Sequence, residues 1–228
     1  MGSSLYMKQM LLGPMANYVY LIGDTESREA MVVDAAWDIP AILEQLDNDD
    51  MTLTGALVTH FHPDHIGGDM MGQHIDGIPE LLTERGVKVY VNKEEASWVS
   101  QTIGLETSDM VAVDGETEIS IGKVPLRFIH TPGHTPGSQC FMAGDNLVSG
   151  DTLFIGSCGR VDLPGSNASD LYYSLTQKLA KLPDDTVLYP GHAYSTEPAS
   201  TIAREKTSNP FMRFERVEDF LTMMGVPG

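Results

Sequence analysis

A seven-residue segment, THFHPDH at residues 59–65, constrains the fold of this chain more than any other part of its sequence. It begins where an apolar, strand-like run ends, at Leu53–Thr59. In extended backbone, side chains two residues apart lie on the same face of the strand. The spacing therefore predicts that His60 and His62 are directed to one point at the end of this strand.

The second half of the same segment adds two more side chains that can bind a metal. Proline is typical of the first turn of a helix, so we expect the chain to turn at Pro63. The turn directs Asp64 and His65 to a neighbouring point. Four ligand-type side chains within six residues can serve two metal ions rather than one, and few structural roles explain this pattern.

Three further motifs each follow a strand-like run and contain a candidate ligand. They are HTPGHTPG at residues 130–137, SGDT at 149–152 and YPGH at 189–192. Glycine lets the backbone turn sharply at these strand ends, and four such ends predict a common edge. A single histidine or aspartate in such a place is more often a surface or turn residue. The ordered set nevertheless favours His134, Asp151 and His192 as ligands, and we expect His74 and His130 not to be ligands.

Strand-like and helix-like segments alternate along the chain in two similar halves, roughly 1–105 and 106–205. Apolar runs bounded by turn residues predict strands at Tyr6–Leu12, Asn17–Ile22, Ala30–Val33, Leu53–Thr59, Val87–Val91, Val111–Val113, Glu116–Ile121, Val124–Ile129, Gln139–Met142, Asn146–Ser149 and Thr186–Tyr189. Helices are predicted after Asp38, at Lys93–Gln101, around Leu171–Leu179 and in the tail. These patterns indicate an α/β or α+β protein.

One more helix is predicted after the first histidine motif. Met71, Ile75, Ile78 and Leu82 have the spacing of one helix face. Such a face favours packing in the core. A substrate lid formed by Gly67–Gly86 remains the alternative.

The charge of the chain excludes some classes of function. The chain has 14 Lys and Arg against 32 Asp and Glu, which gives a formal net charge of −18. A chain with this charge and no basic cluster repels nucleic acid. No apolar run approaches the roughly 20 residues of a membrane span, and no signal peptide is visible, so we expect a cytoplasmic protein. The two cysteines, Cys140 and Cys158, allow one disulfide but do not have the spacing of a metal-binding pair.

The four motifs, in this order, resemble the metallo-β-lactamase superfamily. The resemblance extends from about residue 5 to about residue 210. It implies a four-layer αβ/βα sandwich with helices outside and two β-sheets inside. It also implies one domain over residues 1–228, with a short helical tail at about 196–228.

The same resemblance implies a site for two metals. The implied ligands are His60, His62 and His134 for the first metal, Asp64, His65 and His192 for the second, and Asp151 as a bridge between them. Imidazole and carboxylate ligands suit two Zn²⁺ ions per chain, with iron or manganese as alternatives. In the implied mechanism a hydroxide between the metals attacks a carbonyl carbon. Asp151 holds both metals and Asp64 orients the nucleophile, so both are candidate catalytic residues.

Within the superfamily, the chain is most similar to the glyoxalase II and persulfide dioxygenase subgroup. The similarity lies in SGDTLF at residues 149–154, CGRVD at 158–162 and GHAY at 191–194. It implies that Arg160 and Tyr194 contact the substrate. For Arg160, an ion pair with Asp162 is an equally good alternative, because a guanidinium pairs well with a carboxylate.

We therefore expect a metal-dependent hydrolase of an ester-like acyl bond, glyoxalase II-like, with a thioester as the favoured small-molecule substrate. One alternative is an iron-dependent persulfide dioxygenase, which would need only His60, His134 and Asp151. A lactonase and a β-lactamase-like enzyme are further alternatives. A non-enzymatic scaffold is disfavoured because the ligand set is intact. The sequence makes no prediction of the oligomeric state.

Overall fold

The computed structural model describes residues 4–226 of the chain. In this range the strands are β1 (Leu5–Leu12), β2 (Asn17–Asp24), β3 (Glu29–Val33), β4 (Thr52–Leu57), β5 (Gly68–Met70), β6 (Gln73–Ile75), β7 (Lys88–Asn92), β8 (Met110–Val113), β9 (Glu118–Ile121), β10 (Val124–His130), β11 (Gln139–Ala143), β12 (Asn146–Val148), β13 (Leu153–Phe154), β14 (Ser157–Cys158), β15 (Val187–Tyr189) and β16 (Ser200–Thr201).

The helices of the same range are α1 (Ile39–Asn48), α2 (Pro63–Ile66), α3 (Ile78–Glu84), α4 (Ala96–Ile103), α5 (Ala168–Tyr173), α6 (Ile202–Ser208) and α7 (Val217–Met223). Helix α5 continues through a π turn, Ser174–Lys178, and a 3-10 turn, Leu179–Lys181. Two further 3-10 turns lie at Thr107–Asp109 and Pro210–Met212.

Most of the strands belong to two six-stranded sheets. The first sheet has the spatial order β1-β2-β3-β4-β7-β8, and the second has the order β16-β15-β12-β11-β10-β9. Strands β3, β4, β7 and β8 are parallel, and so are β12 and β15. The carboxyl ends of parallel strands meet at one edge of a sheet, where ligands of α/β proteins bind. The loops that follow β4, β12 and β15 leave the sheets at such edges.

Alternating side chains of the sheets pack in opposite directions, which produces four layers. In β2, Val19 and Leu21 pack in one cluster with residues of α1, α3 and α4, whereas Tyr20 and Ile22 pack in a second cluster between the two sheets. Both side-chain sets of a strand are apolar when the sheet is covered on both faces. The order helix, sheet, sheet, helix confirms the predicted four-layer αβ/βα sandwich.

The outer layer on the second sheet is built by the helices of the second half. Leu147 and Leu188 of this sheet pack with Leu171 of α5, Ile202 of α6 and Phe220 of α7. Two of these helices, α6 and α7, belong to the tail that the sequence places at about 196–228. The tail therefore covers the second sheet.

Each predicted strand is present, with bounds within two residues of those predicted. The helix predicted after Asp38 is also present, and the Asp38 side chain accepts a hydrogen bond from the Ala41 backbone N–H (2.9 Å). The helix predicted at Lys93–Gln101 begins later, at Ala96, because Asn92 first caps a turn by accepting from the Glu94 N–H (3.0 Å).

The helix predicted from Met71 to Leu82 is wrong over its first half. Residues 68–75 form the hairpin of β5 and β6, and helix α3 begins only at Ile78. The turn of the hairpin needs positive φ angles, which Met71 (52°) and Gly72 (78°) adopt. Met71 is 96% exposed and Ile78 is fully buried, so the predicted core packing is correct for Ile78 and wrong for Met71.

The predicted boundary between the two halves also differs from the observed one. Strand β8, Met110–Val113, pairs with β7 and completes the first sheet. The second sheet begins with β9 at Glu118, so the halves meet between these strands rather than at residue 105. The reason is that α4 is a crossover helix, which returns the chain to the same sheet.

The two cysteines are free thiols inside the protein, and no disulfide joins them. Burial raises the pKa of Cys140 to about 11 and that of Cys158 to about 12, so both remain protonated. Both side chains therefore serve to pack the core. Among residues 4–226, no helix has the length and apolar character that crossing a membrane requires.

Candidate metal centre

The loops at the ligand edge bring all seven predicted ligands into one site. His60 and His62 follow β4, and the helix predicted at Pro63 is present as α2, which carries Asp64 and His65. The three other predicted ligands follow β10, β12 and β15. The predicted common edge therefore exists, and it joins residues of both sheets.

The first cluster consists of His60, His62 and His134. One ring nitrogen from each lies within 4.8 Å of the others. His134 Nε2 is 3.0 Å from His62 Nδ1. The centroid of the His60 ring lies 4.7 Å from that of His62 and 4.8 Å from that of His134. Three imidazoles with nitrogens directed at one point can hold one cation.

The second cluster consists of Asp64, His65 and His192, again with ligand atoms within 4.8 Å of one another. The two Nε2 atoms of His65 and His192 are 3.2 Å apart. Asp64 Oδ2 lies 3.4 Å from each of them. Two imidazoles and one carboxylate can hold a second cation.

Asp151 lies between the two clusters. Its Oδ1 is 3.4 Å from His65 Nε2, and its Oδ2 is 3.4 Å from His192 Nε2. The same Oδ2 lies 3.7 Å from His134 Nε2 of the first cluster. This placement is the one that a bridging carboxylate requires.

Hydrogen bonds on the outer side of the rings fix the direction of three histidines. His134 Nδ1 donates to the Arg160 carbonyl (2.8 Å), His192 Nδ1 to the Met15 carbonyl (3.0 Å) and His65 Nδ1 to Asp34 Oδ2 (2.9 Å). A neutral imidazole that donates through one nitrogen presents a lone pair on the other. In the neutral form of these rings, all three Nε2 atoms would present a lone pair to a metal.

His60 is oriented by a chain of hydrogen bonds. Thr59 Oγ1 donates to Asp34 Oδ2 (2.6 Å), so it accepts from His60 Nδ1 (2.9 Å). His60 Nε2 then carries a buried lone pair, and it has no hydrogen-bond partner among the described residues. Asp151 Oδ1 is buried in the same way. Two buried acceptors without a donor are costly unless a cation satisfies them, so the residues present fit a pair of metal ions.

The two clusters differ in their electrostatics. Burial, together with the neighbouring histidines, lowers the pKa of His60 well below its usual value and that of His62 to about 4. Both rings are neutral at pH 7, which is the form that binds a metal. Burial also acts to lower the pKa of His192, but Asp151 and Asp64 outweigh it and raise this pKa to about 9. The second cluster therefore has a negative potential that favours cations.

Asp64 is held by residues that the sequence analysis did not identify. Asn17 Nδ2 donates to Asp64 Oδ2 (3.0 Å), and Trp37 Nε1 donates to Asn17 Oδ1 (3.0 Å). Because the indole can only donate, it fixes which end of the Asn17 amide faces the carboxylate. Burial acts to raise the pKa of Asp64, but the charge of His65 and the hydrogen bonds from His192, His65 and Asn17 hold it below its usual value.

The predicted substrate contacts lie on the rim of the centre. Arg160 is 61% exposed in its side chain and pairs with Asp162 through two hydrogen bonds of 2.6 Å, which is the ion pair that the sequence offered as an alternative. The Tyr194 ring stacks on the His192 ring, with centroids 4.7 Å apart and an interplanar angle of 6°. Of the two other histidines, His74 is exposed and His130 Nε2 bonds the Pro136 carbonyl (2.9 Å).

The sandwich and the paired His and Asp clusters place the chain in a class of metal-binding proteins. The family profile of the metallo-beta-lactamase superfamily matches residues 12–192, and the chain belongs to this superfamily. Members of this superfamily share a metal-dependent enzyme fold. The relatives of this chain include both hydrolases and a dioxygenase.

Three relatives illustrate this range. Persulfide dioxygenase ETHE1 of Homo sapiens is 31% identical, over 98% of this chain and 82% of that protein. The protein named "Probable polyketide biosynthesis zinc-dependent hydrolase BaeB", of Bacillus velezensis, is 29% identical over 90% of this chain and 86% of its own length. The crystal structure of ETHE1 from Myxococcus xanthus has a TM-score of 0.83 and 32% identity, and it covers 96% of this chain and 90% of that chain.

The two clusters predict about two metal ions per chain, since a single tetrahedral site uses three or four ligands. Elemental analysis of protein purified without chelator should show two ions in the wild type and a reduced content in His192→Ala. His74→Ala is the matched control, because it removes an exposed histidine and should leave both ions in place. A wild-type protein without metal would contradict the prediction.

Proposed function

We propose that this protein is a zinc-dependent hydrolase of an ester-like acyl bond, with a thioester as its substrate class. The observation that carries the proposal is that both clusters are complete and oriented. Asp34 and the Met15 carbonyl bond His65 and His192 of the second cluster. Thr59 and the Arg160 carbonyl bond His60 and His134 of the first cluster in the same way. A reaction that uses one metal ion needs only one of the two ligand clusters.

When bound, a zinc pair supplies Lewis acidity, which lowers the pKa of water to about 7 and polarises an acyl carbonyl. His60, His62 and His134 would hold one ion, and Asp64, His65 and His192 the other. Asp151 would join the two half-sites. Asp64 is ionised and held by Asn17, so it can orient an attacking nucleophile.

The rim residues fit a substrate with a carbonyl and a negative charge. Burial and the carboxylates Asp151 and Asp64 raise the pKa of Tyr194 to about 12, so its hydroxyl stays protonated and can donate a hydrogen bond. Arg160 is next to the first cluster, because its own carbonyl bonds His134. An exposed pair such as Arg160 with Asp162 contributes little to stability, because solvent screens the two charges. Arg160 can therefore exchange Asp162 for a substrate carboxylate at little cost.

Persulfide oxidation is the second candidate function. It is favoured by the extent of the likeness to ETHE1, which includes 98% of this chain for the human protein. An iron-dependent oxygenase would use two histidines and one carboxylate, which His60, His134 and Asp151 can provide. The zinc-dependent hydrolase BaeB supports the first candidate in the same way, at 29% identity.

Separate loading with zinc and iron distinguishes the two functions. We expect zinc-loaded protein to hydrolyse thioesters in a panel that also contains a lactone and a β-lactam. Iron-loaded protein should consume little oxygen with glutathione persulfide. Rapid oxygen uptake without hydrolysis of any thioester or lactone would refute the hydrolase and establish the dioxygenase.

A further inference from the structure

Glu95 is a buried carboxylate outside both ligand clusters, with 1% of its surface exposed. It is the residue that precedes helix α4. Its Oε2 accepts a hydrogen bond from the Phe61 N–H (2.9 Å), and its Oε1 accepts from Thr135 Oγ1 (2.5 Å) and from the Gly137 N–H (2.7 Å). Three donors and no cation surround it among residues 4–226.

The partners of Glu95 belong to the two loops that carry the first cluster. Phe61 lies between His60 and His62 in the loop that follows β4 of the first sheet. Thr135 and Gly137 follow His134 in the loop between β10 and β11 of the second sheet. One carboxylate thus joins the backbones of the two loops across the interface between the sheets.

The loop that contains Gly137 packs closely against the Glu95 side chain. A Cβ atom on Gly137 would lie 2.5 Å from Glu95 Cγ, so only glycine lets the loop approach the carboxylate. Burial raises the pKa of Glu95 to about 7, and the three hydrogen bonds oppose this rise. Burial of an ionised carboxylate is costly unless hydrogen bonds compensate it, and the three donors from the two loops provide this compensation.

We propose that Glu95 is a positioning residue that sets the spacing of His60, His62 and His134 and thereby the affinity of the first metal site. The proposal rests on the two-metal site of the proposed function but not on the substrate. Glu95 accepts no hydrogen bond from the second-cluster ligands, whose side chains are held instead by Asp34, Asn17 and the Met15 carbonyl. A change at Glu95 should therefore act mainly on the first metal site.

Glu95→Gln breaks the hydrogen-bonded link between the two loops with little change in the shape of the side chain. The amide of glutamine has one acceptor oxygen. Because two donors converge on the position of Oε1, the amide oxygen should occupy that position. The NH₂ group then faces the Phe61 N–H, so the link to the loop of His60 and His62 is lost. Replacement of a residue that orients metal ligands typically weakens metal binding about 10–100-fold.

Titration of metal-free protein with Co²⁺, followed by visible absorption and calorimetry, measures this effect. The variants His134→Ala and His192→Ala assign the two binding events to the first and second site. We expect Glu95→Gln to weaken the first-site affinity about 10–100-fold and to leave the second within a factor of about three. The Co²⁺ absorption of the first site should also change.

Glu205→Gln is the matched control. Glu205 is equally buried and also accepts from three neutral donors, the Ser200 hydroxyl (2.6 Å), the Gly156 N–H (2.7 Å) and the Asn209 amide (3.0 Å). Its replacement should lower the thermal stability of the metal-free protein as much as Glu95→Gln does, without a change in first-site affinity. Thr135→Val removes one bond of Glu95 and keeps the side-chain shape. It should weaken the first site in the same direction, and it replaces Glu95→Gln if that variant does not fold.

Two bound ions with unchanged first-site affinity in both Glu95→Gln and Thr135→Val would overturn the proposal, as would equal weakening of both sites. These outcomes leave the two-metal function intact. If the wild type binds one ion, the two-metal function fails. The effect of Glu95→Gln is then measured as the change in affinity for that one ion. A wild type that binds no ion would overturn both.

Discussion

Asp151→Asn is expected to reduce turnover by several orders of magnitude while the fold persists. Asp151 is the one predicted ligand whose oxygens contact histidines of both clusters. The amide keeps the shape of the carboxylate but loses the charge that two neighbouring cations require. The effect should approach that of losing a catalytic metal, because the proposed function needs both ions to activate the nucleophile.

The measurement combines the steady-state rate, metal content and thermal unfolding of the same samples. Asp24→Asn is the matched control, since Asp24 is fully buried and accepts from the Glu26 and Lys123 N–H groups at the opposite end of β2 from Asn17. It should cost stability and leave turnover of the folded protein unchanged. A folded Asp151→Asn protein with near wild-type turnover would show that Asp151 does not bridge the metals.

The ligand loops could be predicted from the sequence because their information is local. The eight residues that follow β4 contain the whole first motif, and the spacing of His60 and His62 alone indicates their common direction. The glycines that precede Asp151 and His192 mark the other strand ends in the same way. Assigning each ligand to one of two metals required the resemblance to the superfamily, because spacing does not show which loops meet.

The residues that orient the ligands were missed because sheet pairing brings them to the site. Asp34 follows β3, and Asn17 begins β2, so each lies at the ligand edge of a strand with no motif of its own. A polar residue at the end of a buried strand was the signal available for Asp34. The hairpin at residues 68–75 was missed for another reason, since apolar spacing outweighed the turn that Gly72 permits.

Asp34→Asn is expected to weaken both metal binding and stability, because Asp34 orients ligands of both clusters. Its Oδ1 accepts from the Thr59 N–H (2.8 Å), and its Oδ2 accepts from Thr59 Oγ1 (2.6 Å) and from His65 Nδ1 (2.9 Å). The backbone φ of Asp34 is 56°, a conformation that asparagine tolerates as well as aspartate does. The substitution therefore tests the carboxylate rather than the backbone.

The amide of Asp34→Asn has two possible orientations, and each disrupts one contact. If its NH₂ group occupies the Oδ1 position, it faces the Thr59 N–H and that bond is lost. If it occupies the Oδ2 position, it donates to His65 Nδ1, and the proton of a neutral His65 moves to Nε2, where it blocks the second metal. We expect second-site affinity to fall about 10–100-fold and the free energy of unfolding to fall by about 1–3 kcal/mol. The Co²⁺ titration and denaturant unfolding measure both, with Asp24→Asn as the control, and wild-type affinity at both sites would refute the role of Asp34.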